Sequence, residues 1–229
     1  MFVSFISQKG GTGKTTLALH MAALLPTFGY KTLLIDADPQ ASAMAWHACR
    51  LQSGRAGPKG LTVMANCNGT ITDQLPELSQ SYDCVLIDGP PRGDRIARDV
   101  ILASDLVFVP TRLSGFDVWA ADSISKTIAE LRTIQQMASK RPLDWFYVVN
   151  QKNPRTLAGK SILRGLEKSG AHILESHVCE RACFVEATSQ GLTILETEPA
   201  RSKARLEIES IGDELRHLIQ QRQSRSIAA

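Results

Sequence analysis

Residues 8–16, Gln-Lys-Gly-Gly-Thr-Gly-Lys-Thr-Thr, set three glycines, two lysines and three threonine hydroxyls between an apolar run and a helical pattern. A strand that hands such a loop to a helix start turns backbone N–H groups, and the positive end of the helix dipole, toward a phosphate. Lys14 is then placed to reach the β- and γ-phosphates of a nucleotide, and Thr15 to offer its hydroxyl to Mg2+. Thr16 and the N–H groups of Gly10, Gly11, Thr12 and Gly13 would hold the α- and β-phosphates. Three carboxylates follow apolar runs: Asp36 and Asp38 after residues 32–35, and Asp88 after residues 84–87. Parallel sheets gather ligands at the carboxyl ends of their strands, so Asp36 and Asp38 belong beside the phosphate loop. Asp88 fits a Walker B acid, which holds Mg2+ through water next to the Thr15 hydroxyl. The plainer alternatives are an Asp-Ala-Asp-Pro turn that caps a helix starting at Ala41, and a strand-end turn at Asp88. Capping and catalysis are compatible.

The elements that must position these groups alternate along the chain. Residues 2–6, 32–35, 61–65, 84–87, 105–110 and 145–149 read as strands. Residues 15–28, 70–78, 94–103, 116–138 and 202–221, with a further stretch from Ala41, read as helices. Gly29-Tyr30 closes the first helix, and Gly54, Gly57, Pro58 and Gly60 mark residues 51–60 as an exposed loop. The pattern predicts an α/β fold, a mostly parallel twisted β-sheet flanked by helices on both faces. Ile124, Ile128, Leu131 and Ile134 are expected to pack the long helix on the sheet. Leu206, Ile208, Ile211, Leu215 and Leu218 would do so for the last one.

At 229 residues, 43% apolar and 21% charged, the chain suits one globular domain spanning 1–229. Its apolar runs stop far short of a bilayer span, and Met1 opens into a strand without a charged n-region and h-region, so a cytoplasmic location is expected. Cysteines 49, 67, 84, 179 and 183 are odd in number and scattered, which favours buried thiols over disulfides. Cys179 and Cys183 are spaced for one helix turn, yet lack further ligands for zinc or an iron–sulfur cluster.

The phosphate loop departs from the strict P-loop pattern, because Gln8 stands where the first glycine belongs and Lys9 precedes the glycine pair. Lys-Gly-Gly-x-Gly-Lys-Thr-Thr resembles the deviant Walker A box of the ParA/MinD family of dimeric ATPases, which position plasmids, chromosomes, division sites and other cargo. The string Asp-Ala-Asp-Pro-Gln-Ala-Ser from Asp36 resembles that family's switch I, and Gly89-Pro90-Pro91 its switch II. By that resemblance the ligands are ATP and Mg2+. Asp38 would orient the attacking water, Asp36 would lie nearer the metal and its waters, and Asn150 would meet the adenine. Lys9 would cross a dimer interface to the partner's nucleotide and act there as an arginine finger does. The resemblance thus implies a slow ATPase that is a homodimer in its ATP state.

The family also implies nonspecific DNA as a partner, hence association with the nucleoid, and a ParB-like or other adaptor that stimulates hydrolysis. Lys160, Arg164 and Lys168 would share a helix face, and Arg201, Lys203, Arg205, Arg216, Arg222 and Arg225 add basic residues near the end. Against that, residues 152–229 hold twelve Lys/Arg and ten Asp/Glu, and the whole chain carries a net charge of only +3, so a solvated mixed surface is the alternative. The final residues lack the aromatic anchors of a membrane-seeking tail, so no membrane partner is expected. The loop strand begins at residue 2, so operator-specific autoregulation is not expected either. Partition of a plasmid or chromosome is the first reading, and positioning of a protein cargo such as a microcompartment is the second. An enzyme of the dethiobiotin synthetase kind shares the P-loop but would not need Lys9, and a relative of the nitrogenase iron protein would need cluster cysteines that residues 88–103 lack.

Overall fold

The computed structural model describes residues 1–68, 70–91, 95–139, 143–152 and 172–228. Strands β1 Phe2–Ser7, β2 Thr32–Asp36, β3 Leu61–Ala65, β4 Cys84–Pro91, β5 Leu106–Thr111, β6 Asp144–Lys152 and β7 His172–Cys179 form one seven-stranded sheet, ordered β3-β2-β4-β1-β5-β6-β7. All neighbouring strands are parallel. The helices are α1 Lys14–Leu24, continued by the 3-10 turn Leu25–Phe28, α2 Ser42–Gln52, α3 Ile71–Ser81, α4 Arg95–Ala103, α5 Gly115–Ser139, α6 Ala182–Ser189, α7 Ile194–Thr197 and α8 Lys203–Ala228. The expected α/β sheet is therefore present, with its phosphate-loop strand at the centre. β7 is an edge strand without an apolar run, because Glu175, Ser176 and His177 interrupt it.

Side chains on the central strands alternate between two cores. Val3, Phe5, Leu34, Leu86 and Phe108 join α1, α2, α6, α7 and α8 through Leu17, Trp46, Phe184, Ile194 and Ile208. Phe2, Ile6, Leu33, Val85 and Val107 join α3, α4 and α5 through Ile71, Val100 and Ile128. Burial on both faces is why these strands read as unbroken apolar runs. The same two-residue period continues into the site. Asp36 lies two past Leu34 and Asp88 two past Leu86, so both carboxylates emerge on the α1 side.

Two helix stripes differ from expectation. Ile134 is 45% exposed, and the inward position on α5 belongs to Gln135, whose Nε2 donates to the carbonyls of Leu102 and Ser104. On α8 the buried stripe is Ala204, Ile208, Ile211, Leu215 and Ile219, while Leu206 is 48% exposed. Cys179 ends a strand and Cys183 sits in the next helix, so they do not share a helix turn; all five cysteines are free thiols.

His20, fully buried in α1, ties the phosphate-loop helix to α7. Its Nδ1 lies 2.6 Å from the Thr16 carbonyl oxygen, and its Nε2 accepts from the Ile194 N–H at 3.1 Å. Only the neutral ring protonated at Nδ1 satisfies both. Burial lowers its pKa from 6.5 to about 4, against the pull of the Thr16 carbonyl and the Glu196 charge. Between pH 6.5 and 4 the unfolded chain binds a proton that the native state refuses, so stability falls as pH falls. The total is about 3 kcal/mol. Urea unfolding across that range should show wild type losing this increment relative to His20→Gln. Parallel profiles would clear His20 of any part in acid sensitivity.

Candidate functional site

The loop after β1 is braced by its own hydroxyls. Ser7 Oγ donates to the Lys9 carbonyl at 2.7 Å, and Thr12 Oγ1 donates to Ser7 Oγ at 2.9 Å. Gly13 has φ 87° and caps α1, so the loop enters the helix through a left-handed residue. Lys14 is buried, whereas Gly10 and Gly11 are exposed and Lys9 beside them is half-buried. The two lysines thus differ in burial, Lys14 enclosed at the helix start and Lys9 partly exposed ahead of the glycine pair.

The acids arrive as the strand period requires. Thr15 Oγ1 donates to Asp88 Oδ2 at 2.6 Å. Asp36 faces Asp88 in register on the adjacent strand, with its Oδ1 taken by the Asp38 N–H at 3.2 Å and its Oδ2 by the Met44 N–H at 2.9 Å. Asp36 therefore caps α2 from a distance, as the first residue of the expected Asp-Ala-Asp-Pro capping turn. Ala41, at the N-cap position itself, has a left-handed φ of 52° and no side-chain cap. Asp38 closes the turn by accepting from the Gln40 N–H at 3.0 Å, and is itself buried.

Burial raises the Asp36 carboxyl, opposed by the N–H groups of Met44, Asp38 and Ala43. Burial pushes Asp88 further, to about 7; the Thr15 hydroxyl and Lys14 oppose the rise, and the charges of Asp36 and Asp38 add to it. Asp88 Oδ1 is buried without a hydrogen-bond partner. Two buried carboxylates side by side, one with an orphaned oxygen and a hydroxyl on the other, fit a hard divalent cation such as Mg2+.

Asn150 stands near the end of β6 with its Nδ2 2.7 Å from the Thr12 carbonyl oxygen, so the structure brings it directly onto the phosphate loop. Sequence reasoning missed Arg112. Its Nη2 donates to the Gly11 carbonyl at 2.6 Å from a position one residue past β5. No motif marks it; its place at the carboxyl end of the strand next to β1 was the only available signal.

Several of the basic residues near the end are matched by acids. Arg205 pairs with Glu209 at 2.8 Å, Arg216 with Asp213 at 3.0 Å, and Arg222 with Asp144. Arg201 and Lys203 are exposed. Lys160, Arg164, Lys168 and the side chain of Arg225 lie outside the described residues. Among the described residues no helix is long and apolar enough to cross a membrane.

Fold and site define a P-loop nucleotide-binding protein. The sequence model of the CobQ/CobB/MinD/ParA nucleotide-binding domain matches residues 3–194, and the chain belongs to that family. The maintenance of carboxysome distribution protein A of Halothiobacillus neapolitanus is 27% identical over 209 residues, 90% of this chain and 92% of that protein. The chromosome-partitioning ATPase Soj of Thermus thermophilus is 25% identical over 224 residues, 86% and 88% of the two chains. The ATP complex of Cyanothece McdA shares the fold with a TM-score of 0.74 at 16% identity, over 93% of this chain and 95% of that one.

Proposed function

We propose that the protein is a weak ATPase that dimerises on ATP and positions or segregates a cargo, with nonspecific DNA as its track and an adaptor stimulating hydrolysis. The observation that carries this is the split of cations in one loop. Lys14 is buried at the helix start, while Lys9 is half-buried and stands just ahead of the exposed Gly10 and Gly11. Relatives named for chromosome partition and for carboxysome distribution support the positioning role, and the second keeps a protein cargo in view.

In this reading Lys14, Thr16 and the loop N–H groups bind the triphosphate. Thr15, Asp88 and Asp36 would hold Mg2+ and its waters beside it, and the cation would neutralise phosphate charge. Asp38, fixed by the Gln40 N–H, orients the attacking water. Lys9 reaches the partner protomer's nucleotide and stabilises the charge that develops there. Hydrolysis then depends on dimerisation, and release follows it.

Sedimentation with a non-hydrolysable ATP analogue, with ADP and without nucleotide is expected to give a dimer in the first case alone. The analogue-bound form should bind random duplex DNA, and bind it more weakly at higher salt. A monomer under all three conditions would sink the proposal. Equal DNA affinity in all three would remove DNA from the switch.

A further inference from the structure

A phosphate-binding loop turns its N–H groups inward, so the carbonyls of the same peptides face outward and need donors of their own. Side chains from the two strands beyond β1 supply them for two consecutive residues. Arg112, just past β5, donates to the Gly11 carbonyl at 2.6 Å, and Asn150, on β6, donates to the Thr12 carbonyl at 2.7 Å. Asn150 is 4% exposed, and Thr12 is buried with it. The contact is so close that a Cβ on Gly13 would lie 2.0 Å from Asn150 Nδ2.

We propose that Arg112 and Asn150 are positioning residues that clamp consecutive phosphate-loop carbonyls and thereby set the affinity for a triphosphate whatever base it carries. The clamp rests on the reading of this loop as a triphosphate site and deepens it. The donor half of the Asn150 amide is committed to the loop, so its loss is felt at the phosphates rather than at the base. Freed of the clamp, the Thr12 carbonyl is left buried without a donor, and the loop relaxes from the curvature that aims its N–H groups. The Arg112 bond is solvent-exposed, so water can replace it in part.

Calorimetric titration with Mg2+ and each of ATP, GTP and inorganic tripolyphosphate tests this on wild type, Asn150→Ala, Asn150→Asp and Arg112→Ala. Asn150→Ala is expected to weaken all three probes by a common factor on the order of tenfold, and Arg112→Ala by a smaller common factor of about threefold. Asn150→Asp, which keeps the shape but turns an acceptor on the Thr12 carbonyl, should bind no better than Asn150→Ala. The ATP-to-GTP ratio should stay that of wild type throughout.

An Asn150→Ala protein that loses ATP while holding tripolyphosphate like wild type would overturn the clamp and make Asn150 a reader of the base. Variants that bind every probe like wild type would overturn it as well. If wild type bound neither ATP nor tripolyphosphate, the triphosphate reading beneath the clamp would fall, and that result is distinct from the other two. Should the Asn150 variants not fold, the exposed Arg112 carries the test with the same probes.

Discussion

Lys9→Ala is expected to bind ATP within about threefold of wild type as a monomer, yet to lose at least ~100-fold of its dimer-dependent hydrolysis, because a cation supplied in trans to a transferred phosphoryl group is worth 10³–10⁵ in rate. The loop should survive the change. Its brace uses the Lys9 carbonyl, which Ser7 Oγ holds at 2.7 Å whatever the side chain, and the phosphates retain buried Lys14. Steady-state turnover against protein concentration shows the difference, rising with dimer formation in wild type and staying flat in the variant. A mixing experiment separates trans from cis action. Asp38→Ala disables its own site but keeps Lys9, while Lys9→Ala keeps a complete site that waits for a partner's lysine. Mixed in equal amounts, the two inactive proteins should recover about a quarter of wild-type turnover, since half the dimers are mixed and each has one working site. No recovery would mean that Lys9 acts within its own protomer or not at all.

Much of this site was legible because it is built from local pattern. The phosphate loop is one contiguous string, and the acids Asp36 and Asp88 sit where apolar runs end. Their common face follows from counting in twos from Leu34 and Leu86. What the sequence hid depends on which strands become neighbours. Arg112 lies 101 residues from the Gly11 carbonyl it holds, and Ile194 lies 174 residues from His20, so no window along the chain contains either pair. Asp36 reads both as a metal-site acid and as part of a capping turn, but the N–H it holds, that of Met44, is seen only in the fold. Amphipathic counting erred in a related way. It sorts by residue type, so it chose Ile134, whereas the fold turns Gln135 inward because two carbonyls at the end of α4 need its donor. A charge count likewise registers Arg205, Arg216 and Arg222 as a basic accent, and cannot show that each meets a carboxylate.

The three loop glycines offer a graded test of how tightly this backbone is specified. Gly10 is not in the left-handed region and has nothing within 4 Å of an added Cβ, so Gly10→Ala should leave triphosphate binding near wild type. Gly11 has φ 73°, and its nearest neighbour, Arg112 Nη2, is at an ordinary 3.9 Å, so alanine there meets backbone strain of about 1 kcal/mol and little else. Gly13 meets both obstacles. Its φ is 87°, and an added Cβ falls 2.0 Å from Asn150 Nδ2 and 3.3 Å from Asn150 Cγ. Asn150 is buried and cannot step aside without surrendering the Thr12 carbonyl, so strain and an orphaned acceptor combine to about 3 kcal/mol. If the native curvature is what binds the ligand, that energy is drawn from affinity, and Gly13→Ala should weaken tripolyphosphate and ATP by on the order of 100-fold. Titration of the three variants under one set of conditions, with thermal melts to confirm folding, reads the series directly. Equal losses at Gly10 and Gly13 would show that binding follows the number of glycines in the loop, and the conformation imposed at Gly13 would no longer account for the site.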